Sequence, residues 1–147
     1  GDRKNINAPD IEELCGSTAE ESIFQITDFM AEGNSKEALH IFKRVLEMDK
    51  SAEFTMVGAM GYSLRRLLKA RSLIDSGISE REALSACKVY PKIARRFSEQ
   101  LKRLSAKRLR SWIHRLAEID QANKTGLGQA RLNLEKFILC ASSTLEK

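Results

Sequence analysis

Apolar positions along the chain recur at intervals of three and four residues, and glycine, proline and capping residues interrupt that rhythm at regular points. Asn7 and Pro9 open a short predicted helix through Leu14, and Gly16 stops it. Ser17 and Glu20 then form a capping-box pattern, in which each side chain satisfies the other residue's free backbone N–H. The helix behind it carries Ile23, Ile26, Phe29 and Met30 and ends at Gly33, which tolerates a left-handed turn. A helix from about Ser35 buries Ala38, Leu39, Phe42, Val45 and Leu46, and Asp49-Lys50-Ser51 breaks it.

The longest predicted helix follows, from about Ala52 to Asp75, with Phe54, Val57, Met60, Leu64, Leu67, Leu68, Arg71 and Ile74 as its stripe. At 1.5 Å per residue it spans about 35 Å, enough to be the spine of a fold. Gly77 stops it, and a second capping box, Ser79 with Glu82, opens a short helix bearing Ala83, Leu84 and Cys87. Pro91 starts the next helix, whose apolar face is Ile93, Phe97, Leu101 and Leu104. Ser105 caps a helix with Leu109, Trp112, Ile113, Leu116 and Ile119, which Gly126 ends. A last helix, near Gln129 to Ser142, carries Ala130, Leu134, Phe137, Ile138 and Ala141. No alternating run or hairpin turn signals a strand. The fold class is therefore all-α, a helical bundle of about seven to eight helices.

Composition adds little to that reading. The 147 residues, 42% hydrophobic and 31% charged, suit one globular domain, or one with a fragment of a neighbour. No apolar run approaches the roughly 20 residues of a membrane span, and no membrane partner is expected. The polar start, Gly1-Asp2-Arg3-Lys4-Asn5, shows no secretory or transit pattern and is expected to be a cut in a longer chain or a tag remnant. Cys15, Cys87 and Cys140 are odd in number and widely spaced, which predicts small buried hydrophobes in a reducing cytoplasm.

Charge changes the picture more. Residues 1–37 hold nine acidic and three basic side chains, and the remainder holds eleven and twenty-two. From Lys88 to Arg115, Glu99 is the one acid among ten Lys and Arg. Such asymmetry points to an acidic partner surface or to nucleic acid.

The chemistry of an enzyme finds no foothold. The phosphate-cradling Gly-x-x-x-x-Gly-Lys-[Ser/Thr] loop is absent, and Gly126-Leu127-Gly128 lacks a preceding strand. His40 and His114 stand alone on their helices without metal-ligand spacing. Glu12-Glu13 and Glu20-Glu21 read as first-turn acids that complement a helix dipole. No catalytic, cofactor or metal residue is expected. The segment Ser79–Leu104 resembles a helix-turn-helix, with Lys92, Arg95, Arg96, Lys102 and Arg103 on one face of the second helix. Those five are candidates for contact with DNA backbone or an acidic partner, and any solvated amphipathic helix shows the same pattern. The base-reading end carries neither Asn, Gln nor an aromatic.

A set of stretches in fixed order carries a family resemblance. They are Asp10–Gly16, Ala19–Asp28, Glu32-Gly33-Asn34, Gly61–Ala70, Tyr90–Ala94 and Ala117–Gly126. Together they resemble the C-terminal region of the delta-subunit family of bacterial DNA polymerase III, a component of the sliding-clamp loader. Tyr90 stands where that family usually has His, Arg95-Arg96-Phe97 is more basic than usual, and Leu127-Gly128-Gln129 is a shortened connection.

The resemblance implies that residues 1–16 end the AAA+ lid domain and 17–147 form a helical collar domain. It implies a non-catalytic piece of a DNA-replication assembly in the cytoplasm, with gamma/tau-type and delta-prime-type subunits as partners. The sliding clamp would be reached through an N-terminal domain that this chain lacks. Tyr62, Arg65, Arg66 and Lys69, on the long helix, are the expected contacts with those partners. Trp112 and Phe137 are expected in the core or, less readily, at an interface. The alternative to the collar is a helix-turn-helix-like DNA-binding domain using the basic region 88–115.

Overall fold

The computed structural model describes residues 21–126 and 129–143. The expected helix over 9–14, the Ser17–Glu20 capping box, the domain boundary at 16/17 and Cys15 lie outside those residues, as do Leu127 and Gly128.

Seven helices and no strand make up the described chain. The first, α1, is helical over residues 21–32. It is followed by α2 (Ser35–Met48), α3 (Ala52–Asp75), α4 (Glu80–Ala86), α5 (Pro91–Arg103), α6 (Ala106–Lys124) and α7 (Ala130–Ser143). Local chemistry sets most of their ends. Asn34 Oδ1 accepts the N–H of Glu37 and caps α2, and Ser105 Oγ accepts that of Arg108 and caps α6. Pro91 is the first residue of α5, where its missing N–H is not needed. Gly33, Gly77 and Gly126 all take positive φ just past helix ends, a backbone state that a Cβ disfavours.

Both ends of α4 depart from the simplest capping patterns. At Ser79 the hydroxyl accepts the Glu82 N–H at 3.2 Å, but the return arm runs from Ser79 Oγ to Glu82 Oε1 at 3.3 Å, side chain to side chain. Helix α4 stops without a glycine: Lys88 takes φ 56°. Its N–H bonds to Ser85 O and that of Val89 bonds to Leu84 O, the paired bonds of a Schellman turn.

Helix α3 is the spine, packed against α2, α4, α5, α6 and α7. Its buried residues include Met56, Val57, Met60, Gly61, Leu64, Leu67 and Ala70. Phe54, expected in that stripe, is 62% exposed, because the buried arc of α3 begins at Ala52 and Met56 and turns Phe54 outward. Arg71, also expected there, lies half-buried and donates from Nη1 to the Leu101 carbonyl at 2.8 Å, satisfying a free oxygen at the end of α5. Trp112 and Phe137 sit in the core, edge to face with centroids 6.5 Å apart. Phe24 and Phe97 form the matching pair between α1 and α5. Cys87 is buried as expected, and burial pushes its thiol pKa up. Cys140 is exposed instead, because α7 buries Leu134, Phe137, Ile138 and Ala141 on its other side.

Candidate functional site

The basic residues of α5 span a broad arc, and one edge of it meets α1. Ile93, Phe97 and Leu101 point inward, and the residues flanking them on one side meet α1. Arg96 Nη1 lies 2.7 Å from Glu21 Oε2, with its guanidinium over the Phe24 ring. Arg103 Nη1 lies 3.1 Å from Glu32 Oε2. Between them Gln100, fully buried, donates from Nε2 to Phe24 O at 3.1 Å and to Asp28 Oδ1 at 2.9 Å. These contacts advance together along both helices, so α1 and α5 run in the same sense with a polar seam between them. Asp28 is half-buried there, and desolvation raises its pKa above the ordinary value despite the Gln100 hydrogen bond and the nearby Arg96 and Arg103.

The outer side of α5 keeps Lys92, Arg95 and Lys102 exposed. Arg95 lies 3.7 Å from Glu99 in the loose i,i+4 pair of a solvated helix. Of the five expected contact residues, Arg96 is half-buried against α1 and Arg103, still exposed, is paired with it. A helix reading the DNA major groove has its basic face free. The structure turns part of that face onto α1, which leaves the helix-turn-helix reading without support.

The outer face of α3 is different. Phe54, Gly58, Tyr62, Arg65 and Lys69 are all exposed and repeat at three and four residues along one side of the helix. No carboxylate among the described residues lies within ion-pair distance of Arg65 or Lys69. Arg66, expected with them, is only 8% exposed. Its guanidinium sits 5.4 Å from the Tyr62 ring centroid and 5.6 Å from that of Phe97, tying α3 to α5. Four-residue spacing put Arg66 beside Tyr62, but the buried arc of α3 is wide enough to take it in.

Sequence reasoning missed Gln100, whose sole signal is a polar residue next to Leu101 on the apolar flank of α5. It also missed Arg108. That guanidinium stacks over Trp112 at 5.0 Å, and its Nε and Nη2 are buried without a hydrogen-bond partner among the described residues. Burial lowers its pKa from the ordinary arginine value. His40 and His114 are exposed, and His114 Nε2 lies 3.3 Å from Glu118 Oε2. Among the described residues no His, Cys, Asp and Glu gather in a group that could hold a metal ion, and no helix is long and apolar enough to cross a membrane.

Comparison with known proteins agrees on one relationship. The family described as DNA polymerase III delta subunit, C-terminal domain, matches residues 20–141. The DNA polymerase III subunit delta of Bacillus subtilis is 27% identical over 139 residues, which is 95% of this chain and 40% of that protein. The solved structure of the Bacillus subtilis DNA clamp loader delta protein superposes with a TM-score of 0.76 at 25% identity, covering 85% of this chain and 37% of the other. This chain therefore spans about two-fifths of the length of those relatives. The helical bundle, its order of elements and the match across 20–141 place the chain in the family formed by the C-terminal domains of DNA polymerase III delta subunits.

Proposed function

We propose that this domain is the collar module of a clamp-loader delta subunit. It is a non-catalytic piece that holds neighbouring subunits together while the assembly loads a sliding clamp onto DNA. The outer face of α3 carries this reading: an exposed aromatic, Tyr62, beside Arg65 and Lys69, two cations with no carboxylate partner among the described residues. Aromatic and arginine side chains with an unmet charge are what a protein interface uses as anchors. Gamma/tau-type and delta-prime-type subunits are the partners this implies, and the cytoplasm is where they would meet it. Residues 1–16 would belong to the AAA+ lid that precedes the collar. The clamp would be reached through a region outside this chain, consistent with its spanning about two-fifths of its relatives.

Size-exclusion chromatography with light scattering tests the proposal. The chain is mixed with the gamma-type and delta-prime-type subunits of the same source. A stoichiometric complex that survives moderate salt supports the collar. If the subunits ignore the chain while it retards duplex DNA at physiological salt, the collar reading is wrong.

A further inference from the structure

Gly58 lies in the interior of the 24-residue helix α3, where glycine is a weaker helix former than alanine. One use of such a glycine is to let another group approach the backbone closely. Nothing of the kind exists here among the described residues. A Cβ built on Gly58 meets no atom within 4 Å, in contrast to Gly61, where it meets Arg65 Nη1 at 3.0 Å. On either side, one helical turn away, stand Phe54 and Tyr62, 62% and 58% exposed. The surface is therefore a notch in a helix face between two aromatic posts.

The charge beside the notch has a direction. Arg65 follows Tyr62 by three residues, and Lys69 follows Arg65 by four, on the same side. Arg65 folds back over Gly61, where a built Cβ would lie 3.0 Å from its Nη1. Neither cation has a carboxylate partner among the described residues.

We propose that Gly58 is the point of closest approach for an α-helix of a neighbouring protein chain, seated between Phe54 and Tyr62 with carboxylates over Arg65 and Lys69. This rests on the collar reading and says how the collar contact is made. A helix fits because its own ridge fills the notch that a missing side chain leaves. An acidic one fits because its carboxylates supply the charge that the fold omits. A second copy of this chain would bring a protein of net charge +5 against itself.

The test uses Gly58→Ala and Gly58→Gln in the same mixing experiment, with thermal unfolding of each variant alone. Both substitutions place a better helix former in open space, so both raise the unfolding midpoint by a few degrees. Gly58→Gln fills the notch and weakens assembly by about tenfold or more, as loss of an interface anchor does. The double variant R65E/K69E weakens assembly as well, without lowering the midpoint. Assembly of Gly58→Gln at wild-type strength, while wild type assembles normally, overturns the notch and leaves the collar standing. Failure of wild type to join either of the two partners overturns both. Concentration-dependent self-association of wild type that Gly58→Gln abolishes makes a second copy the occupant and overturns the acidic neighbour.

Discussion

Helices α3 and α5 both carry outward-facing cations, and the edge of α5 that meets α1 fares differently from the outer face of α3. On α5, Arg96 and Arg103 reach acids on α1, and Arg95 leans toward Glu99 on its own helix. On α3, Arg65 and Lys69 look outward with no ion-pair partner among the described residues, while Arg66, one residue along, is buried against Phe97. The side-chain chemistry is the same in both places. What separates them is whether another helix of the same chain already lies alongside. Charge that a fold neutralises stabilises the fold, and charge that it leaves open is available to a partner.

The comparison breaks most visibly where α5 meets the core. Phe97→Ala empties the site that Phe24 and Arg66 share, and a loss of about 3–5 kcal/mol is expected from buried Phe→Ala changes. Urea or thermal unfolding reads it directly. Charge reversal separates the two faces next. Arg96→Glu turns an attraction to Glu21 into repulsion at the seam and is expected to cost about 1–2 kcal/mol. Arg65→Glu, on the open face, is expected to leave stability within about 0.5 kcal/mol, its effect falling instead on assembly with the partner subunits. A double-mutant cycle on Arg96 and Glu21 should return a coupling energy, and equal effects of the two charge reversals on stability would erase the contrast between the faces. For the same reason Arg95, not Arg96, is the clean probe of any DNA contact: its loss leaves the α1–α5 seam intact.

A smaller gain is expected at the end of α4. Lys88 holds a left-handed backbone that glycine adopts without penalty, so Lys88→Gly should stabilise the chain by about 0.5–1 kcal/mol, seen as a raised unfolding midpoint. The smallest effect concerns Asp28. Its folded pKa is raised above 3.8 by burial, so the folded state holds the proton more tightly than the unfolded one. Stability contributed by that proton is present at low pH and is lost as pH rises from near 3.8 through the raised value. Asp28→Asn keeps a hydrogen-bonding partner for Gln100 and removes the buried charge. The variant should therefore gain on wild type across that window and hold the gain at neutral pH, with Arg96, Arg103 and Glu32 unchanged around it. A midpoint that shifts the other way would mean that the two arginines outweigh desolvation.

Helix existence was legible in the chain because it depends on local rules. Three- and four-residue spacing, the caps Ser79 and Ser105, Pro91, and glycines 33, 77 and 126 each act over a single turn, and each does so where expected. Pairing between helices was not legible. Gln100 bonds to Phe24, 76 residues away, and no local pattern marks that contact. Phe54 read as core because its spacing fits, yet periodicity leaves the phase of a stripe uncertain by a residue or two on a helix as widely buried as α3. The five basic residues of α5 span a broad arc, and spacing alone could not say that part of it would face α1.

The sequence by itself determined an all-helical bundle, the positions of most helix ends and the family to which the chain belongs, since all three follow from short-range patterns and their order. The tertiary structure decided which charges remain available. Arg96, Arg103 and Arg66 found partners far along the chain, and Arg65, Lys69 and the notch at Gly58 have none among the described residues. Electrostatic and packing partners are set by distance in space, and only folding brings residues 21 and 96, or 66 and 97, within reach of each other.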